Sequence, residues 1–474
     1  MRCILLILII GFLNVPTFAQ EVWDLEKCLS YAIEHSIDIQ QSDYQIDDAA
    51  IQTKISESQR YPSLNAGIST NWNSGRTVDP TTNDFNNATF FSNGYQVNSG
   101  VLLYGGGRLK KSIEQSRVNE SAADADKSSI INTITLNVVG AYFEVLFAKD
   151  NLSNAQVQLK TIRDQIDQMQ KMVEAGSRAQ FEIYDLEAQQ ATADQQITLA
   201  ENRIDLGFLN LKGLMNFDPS SELDLAIPPV EQKVYSDPEL SSFEEILERV
   251  VSSRPELRAY DLRLASAEKG VEIAESQLLP TLSFGVNFGT NYSAQAKKVD
   301  GGNSEDIFQQ VTIDNVPALL GTSQFVPSSF STIPYIAQIA DNKSLGFGFS
   351  ANIPIYNNYN TKGNIERSKI NVLNQKAERD KYSINLRNTL GQLITDVKAA
   401  KRNLDAAIKV LSAREIAFEN AEKRYNLGAI NSFDYTSIQD QMNQGRTDQI
   451  IAKYDYMLKA KVLDFYQGYP VSLK

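Results

Sequence analysis

The chain has 474 residues, a formal net charge of -13, 42% hydrophobic residues, one histidine and two cysteines. A single imidazole with one distant thiol leaves neither a catalytic triad nor a zinc quartet, so no enzyme, metal or cofactor site is expected. No nucleic-acid partner is expected either.

The first stretch, "MRCILLILIIGFLNVPTFAQ", has Arg2 in a short basic start, an apolar run from Ile4 to Leu13, and Thr17 and Ala19 placed for cleavage after Ala19. Residues 1–19 therefore read as a secretory signal. Gln20 stands where a lipoprotein would carry its cysteine, so the mature chain is expected without a lipid anchor. Cys28 is then the single mature thiol. It lies on an apolar helix face and reads as a core residue. His35, in "YAIEHSIDI", sits near a helix end and reads as a surface or capping residue. No later segment is a run of eighteen apolar residues, so any membrane contact falls to strands.

A tandem duplication organises the rest. Leu25 to Leu64 aligns without gaps on Phe243 to Leu282 at an offset of 218, which pairs Cys28 with Ile246. A second ungapped alignment at offset 252 pairs "YGGGRLKKSIEQSRV" with "YNNYNTKGNIERSKI" and "EAGSRAQFEIYDL" with "NLGAINSFDYTSI". The offsets differ by 34, so the second copy carries about that many extra residues within Ala296 to Lys343. The first repeat spans 20–217 and the second 242–474, joined by a linker at 218–241.

Within each repeat the order is helix, proline corner, strand, loop, strand, long helix, glycine tip and returning helix. The first helices start at Asp24 and at Ser242, where Glu245 completes a capping box. Hairpins are expected at 63–104 and 281–356, the latter with a long loop over 296–343 rich in Ser, Asn, Gly and Pro. Leu64, Ala66, Ile68 and Trp72 alternate with Ser63, Asn65, Gly67 and Ser69; Leu282, Phe284, Val286 and Phe288 alternate with Ser283, Gly285, Asn287 and Gly289. The returning strands repeat the pattern with Tyr95, Val97, Val101 and Leu103, and with Leu345, Phe347, Phe349, Ile353 and Ile355. Aromatic residues on one face and small uncharged ones on the other suit lipid outside and a wet lumen inside better than a soluble sandwich. Four strands cannot close a barrel, so several copies must contribute.

The "YGGGR" that follows the first hairpin lacks the lysine and spacing of a phosphate-binding loop. Long helices are expected over 108–175 and 360–426, with returning helices over 180–215 and 433–466. Ile131, Ile134, Val138, Val145, Leu152, Leu159, Ile162, Ile166 and Met169 recur at helical spacing. At 1.5 Å per residue such a helix is about 100 Å long, which suits a coiled-coil tube whose apolar seam also holds copies together. A fibrous coiled coil is the alternative.

These residues resemble the TolC-like outer-membrane efflux proteins. "DLEKCLSYAIEHSIDIQ" and "SFEEILERVVSSRPELR" are similar to that family's repeat openings, "ESQRYPSL" and "ESQLLPTL" to its corners, and "EKRYNLGAINSFDY" to its tip. The resemblance implies a mixed α/β membrane protein: a homotrimer with a twelve-stranded barrel in the outer membrane, continuous with a helical tunnel in the periplasm. It further implies an exit duct for drug efflux or type I secretion, working with a periplasmic adaptor and an inner-membrane transporter. By the same resemblance Tyr425 and Glu182 hold a closed gate and Asp434 lines a constriction, while Gly176, Gly428, Arg424 and Leu427 form the tips that meet the adaptor. Ser437 and Ile430 replace a second aspartate and a restraining arginine. Glu182 and Asp434, one in each repeat, would give rings of carboxylates in a trimer, although an acid in a first helical turn also suits the helix dipole. A periplasmic adaptor, or an envelope protein without a channel, is the competing reading.

Overall fold

The computed structural model describes residues 22–78, 85–226, 242–313 and 316–470. The signal peptide and the linker beyond residue 226 lie outside the described residues.

Elements in the two repeats keep the two offsets. Helix α1 (Leu25–His35) is capped by the Asp24 carboxylate, which accepts from Lys27 N at 2.9 Å, and α5 (Phe243–Ser253) by the complete Ser242/Glu245 box. The single helix expected before each corner is in fact two. A break at Ser36 starts α2 (Ile37–Ser58), and one at Arg254 starts α6 (Pro255–Glu275), where proline fits the first helical turn. Ser36 and Arg254 are 218 residues apart, so the break itself is duplicated. Helices α3 (Arg108–Glu174) and α8 (Asn360–Asn426) are both 67 residues long, and α4 (Phe181–Met215) and α9 (Ser432–Tyr466) both 35.

The chain forms two compact units. One comprises Met1–Ala49, Val118–Leu264 and Leu373–Lys474. Its largest core joins Leu25, Cys28 and Ala32 of α1 to Val138, Tyr142 and Val145 of α3 and to Leu211 and Met215 of α4. A second core repeats this with Ile246 and Val250 of α5, Leu390 and Val397 of α8 and Leu463 of α9. Cys28 and Ile246, Val138 and Leu390, and Leu211 and Leu463 are repeat counterparts, and all six are fully buried. An eighteen-residue window of α3 reaches a mean hydropathy of 1.5, apolar enough for a membrane span, and 44% of it is buried inside the chain. Ile134 and Val138 thus pack within the protomer, which corrects their expected role in the seam between copies. A short parallel pairing of β1 (Val22–Trp23) with β4 (Asp224–Leu225) ties the start of the described chain to the segment after α4. Lys149 bonds Asp224 there, and Tyr142 donates to the Ala226 carbonyl at 2.8 Å.

The other unit comprises Ala50–Arg117 and Ala265–Val372. Its sheet has the order β2-β3-β5-β8, antiparallel throughout, with β2 at Ser63–Val78, β3 at Phe85–Gly105, β5 at Thr281–Ser293 and β8 at Ser344–Asn352. Each corner is a tightened helix end followed by a proline that cannot continue it. Tyr61 N bonds Ser58 O before Pro62, and a 3₁₀ turn at Ser276–Leu278 precedes Pro280. Register joins the alternation of all four strands into one face. Ile68 pairs with Tyr95, Val97 with Phe288, Val101 with Phe284, Phe284 with Phe349 and Val286 with Phe347. On the reverse face Asn98 pairs with Asn287, Gly100 with Gly285, and Ser283 with Ser350.

Three details differ from expectation. Leu103 is the extra residue of a bulge between Leu102 and Tyr104, so it leaves the alternation. β8 stops at Asn352, because Pro354 has no amide to donate, so Ile353 and Ile355 lie beyond the sheet. The expected loop over 296–343 holds a hairpin, β6 (Lys297–Ile313) with β7 (Val316–Thr332), and a short helix, α7 (Tyr335–Asp341). After β3, Gly106 and Gly107 turn into α3 at φ 62° and 81°, where a Cβ on Gly106 would lie 2.8 Å from Leu279 Cδ1. That contact and the left-handed φ values explain Gly106 and Gly107.

Candidate functional site at the helix tips

Both reversals use one device. At the end of α3, Ser177 N reaches back to Met172 O and Gly176 N to Val173 O, both at 2.9 Å. At the end of α8, Ala429 N bonds Arg424 O at 2.8 Å and Gly428 N bonds Tyr425 O at 2.9 Å. Each glycine has φ 72°, the left-handed conformation that this Schellman closure requires. Arg424 contributes its carbonyl to the turn while its side chain is exposed. Leu427 is 84% exposed, and the repeat counterparts Phe181 and Phe433 are exposed beside the turns.

The tips of the two repeats are tied together through Glu182 and Tyr425. Tyr425 Oη donates to Glu182 Oε2 at 3.0 Å, and Glu182 is 9% exposed. Arg178 holds three parts of this pair: its guanidinium lies 3.5 Å from the Glu182 carboxylate, donates to the Tyr425 carbonyl at 2.8 Å, and sits 4.5 Å above the Tyr425 ring. The ring stacks at 4.6 Å on buried Tyr435, whose hydroxyl accepts from Gln165 Nε2 at 2.8 Å. Burial, helped by the Glu182 charge, pushes the Tyr425 hydroxyl up to about 12, and burial does the same to Tyr435. Both phenols therefore stay protonated across the physiological range, and Tyr425 keeps the proton that it donates to Glu182. Gln165 Oε1 is buried without a partner among the described residues.

Asp434 is not part of this cluster. It lies in the first turn of α9, exposed, with its backbone N–H bonded to the capping Asn431 side chain at 2.8 Å. Of the two expected carboxylate rings, Glu182 is instead engaged inside the protomer, leaving Asp434 as the solvent-facing charge. Arg178, Tyr435 and Gln165 escaped the sequence reading. Arg178 had a local signal, an acid four residues on at the start of α4, and it is the repeat counterpart of Ile430.

Comparison with known proteins decides what kind of chain carries these tips. The family model described as outer membrane efflux protein matches residues 28–216 and 246–468. The chain belongs to this family. Members are transport ducts of the outer membrane rather than enzymes. Among relatives, the outer membrane protein TolC of Vibrio cholerae is 22% identical over 356 residues, covering 73% of this chain and 70% of that one. The pyoverdine export outer membrane protein OpmQ of Pseudomonas putida is 25% identical over 41% of this chain and 40% of its own length. The fold matches the solved CusC structure with a TM-score of 0.75 at 16% identity, covering 94% of this chain and 92% of CusC. VceC from Vibrio cholerae matches at 0.71 and 13% identity, over 94% and 97% of the two chains. The efflux family model covers both repeats, including both tips.

Proposed function

We propose that the chain is one protomer of a homotrimeric exit duct in the outer membrane. Three four-stranded sheets would close a twelve-stranded barrel, and the long helices would form a coiled-coil tunnel in the periplasm. The observation that carries this is the registered sheet: apolar on one face across all four strands, small and polar on the other, with β2 and β8 as edges that pair with no further strand among the described residues. In hydrocarbon an open edge strands its backbone groups, and about eight strands are the practical minimum for closure. Further copies satisfy both demands. The apolar face then meets lipid and the Ser, Asn and Gly face lines water. Residues 1–19 export the chain and are removed after Ala19.

The tips meet a periplasmic adaptor, which links the duct to an energised inner-membrane transporter. The turns at Gly176 and Gly428, with Arg424 and exposed Leu427, Phe181 and Phe433, supply an apolar docking rim. The bond from Tyr425 to Glu182 holds the closed arrangement, and Asp434 from three copies makes an acidic ring that favours cations. A periplasmic adaptor has no use for a four-stranded apolar face, which disfavours that alternative.

Single-channel recordings in planar bilayers test the gate. Tyr425→Phe combined with Glu182→Gln is expected to raise conductance, and Asp434→Asn to weaken block by multivalent cations. Parent-like behaviour of both variants would show that these groups do not control conductance and would move the constriction elsewhere.

A further inference from the structure

The insertion between β5 and β8 ends in α7, which buries its glutamine and exposes Ile336, with its one charge, Asp341, exposed at its last residue. Gln338 is its buried residue, 2% exposed, while Ile336 is 76% exposed. The glutamine is fully employed. Its Oε1 accepts from Ser293 N at 2.9 Å, and its Nε2 donates to Ser293 O at 3.0 Å and to Ile333 O at 2.9 Å. Two more bonds fasten the helix to β5: Thr290 Oγ1 donates to Ile339 O at 2.9 Å, and Asn342 Nδ2 donates to Asn291 O at 2.8 Å. The hydroxyls of Tyr335 and Tyr95 are bonded, and the Tyr335 ring lies 4.6 Å from that of Tyr292.

Tyr95, Thr290 and Tyr292 all belong to the apolar face of the sheet, as the pairings of Tyr95 with Thr290 and of Asn93 with Tyr292 require. The helix therefore lies on the apolar side, at the end of β5 remote from the corner at Pro280. Facing away from the sheet, Ile336 and Ala340 are one helical turn apart and both exposed. Ile68, Trp72 and Leu345 are exposed on the same side of the sheet. A helix packed in water hides its isoleucine and shows its glutamine. The reverse arrangement, with every polar atom of Gln338 satisfied inside the chain, is what a hydrocarbon solvent selects.

We propose that α7 is a membrane-surface element on the lipid side of the barrel, with Ile336 and Ala340 set into the acyl-chain boundary of the outer leaflet. This rests on the reading of β2, β3, β5 and β8 as membrane strands and adds a lipid-contact site outside them. Tyr95, Tyr292 and Tyr335 then form a phenolic band where headgroups begin, each with an apolar ring and a polar end. The hydrogen bonds to β5 fix the depth of the helix.

The test uses the full-length protein in phosphatidylcholine/phosphatidylglycerol vesicles, with nitroxide labels on single variants Ile336→Cys, Ala340→Cys, Phe347→Cys and Asn287→Cys. Native Cys28 is fully buried, and the parent protein serves as the labelling blank. Collisions with oxygen report lipid, and collisions with a water-soluble nickel chelate report water. The oxygen-to-nickel ratio at Ile336 and Ala340 is expected to approach that at Phe347 and to exceed that at Asn287 several-fold. Ratios at both α7 positions like that at Asn287, with Phe347 still rich in oxygen, would overturn the α7 proposal and leave the strands in the membrane. An aqueous signal at Phe347 as well would overturn the strand reading and the proposal together.

Discussion

Arg178 has three contacts at the tips, and each is lost differently on substitution. Arg178→Ala leaves the Glu182 carboxylate, nine-tenths buried, with Tyr425 as its remaining side-chain partner among those observed. Leaving a buried polar group underpaired costs about 1–3 kcal/mol. The expected outcome is faster proteolytic cleavage near residues 176–181 and a conductance above that of the parent, whereas Arg178→Lys should recover the charge but not the bond geometry, giving an intermediate value. Unchanged cleavage and conductance in Arg178→Ala would show that the arginine does not hold the tip. Cys28 gives a simpler case. Burial raises its thiol to about 12, so it should resist iodoacetamide in the folded protein and react after denaturation. Rapid alkylation of the folded chain would contradict the α1 packing. Cys28 was legible as a core residue because its repeat counterpart is isoleucine. The Tyr425 and Glu182 pair was legible only by family likeness, since the two are 243 positions apart and no local pattern joins them. Arg178 was missed because an arginine in a turn four residues before a glutamate is also an ordinary surface pair.

Strands and helices make different predictions. Phe284→Arg or Phe347→Arg is expected to lower barrel assembly, since Arg on a lipid-facing strand near the midplane costs about 2–4 kcal/mol. Asn287→Arg should assemble and alter conductance instead. Equal assembly of Phe284→Arg and Asn287→Arg, measured as heat-resistant oligomer on gels, would mean that the faces are reversed or that the sheet is not in lipid. In the helices, Leu390→Ala in the second core is expected to cost about 2–5 kcal/mol and to lower the thermal melting of helical circular dichroism. Loss of oligomer with parent-like melting would instead place Leu390 between copies. Alternation was readable wherever an element had one wet and one apolar side, as at Phe284, Val286 and Phe288. It failed at Leu103, where a bulge shifts the count, and at Ile353 and Ile355, which keep the rhythm after the ladder has ended. The hairpin of β6 and β7 was read as a loop because its apolar residues, among them Ile307, Phe308, Leu319 and Leu320, fall on both faces and give no single period.

For the whole molecule, the two offsets state the architecture: helices and strands repeat at 218 until the second hairpin opens, and at 252 once it has closed. The difference reflects the hairpin and short helix inserted between β5 and β8. Counterparts such as Val138 and Leu390, or Gly176 and Gly428, occupy the same kind of environment although their side chains differ in half the cases. Neither repeat supplies more than two strands to the sheet, and the protomer leaves Leu64, Ile68, Trp72, Phe347 and Phe349 each more than 70% exposed on one face. In the proposed assembly, lipid covers this apolar face and neighbouring copies cover the two edges that are unpaired among the described residues. The central claim is therefore a claim about number and place. It is tested most directly by fractionating membranes that carry the protein and measuring the mass of the detergent-extracted particle by light scattering with the detergent contribution subtracted. A particle of three chains from the outer-membrane fraction is the predicted result, and a soluble monomer in the periplasmic fraction would contradict the account.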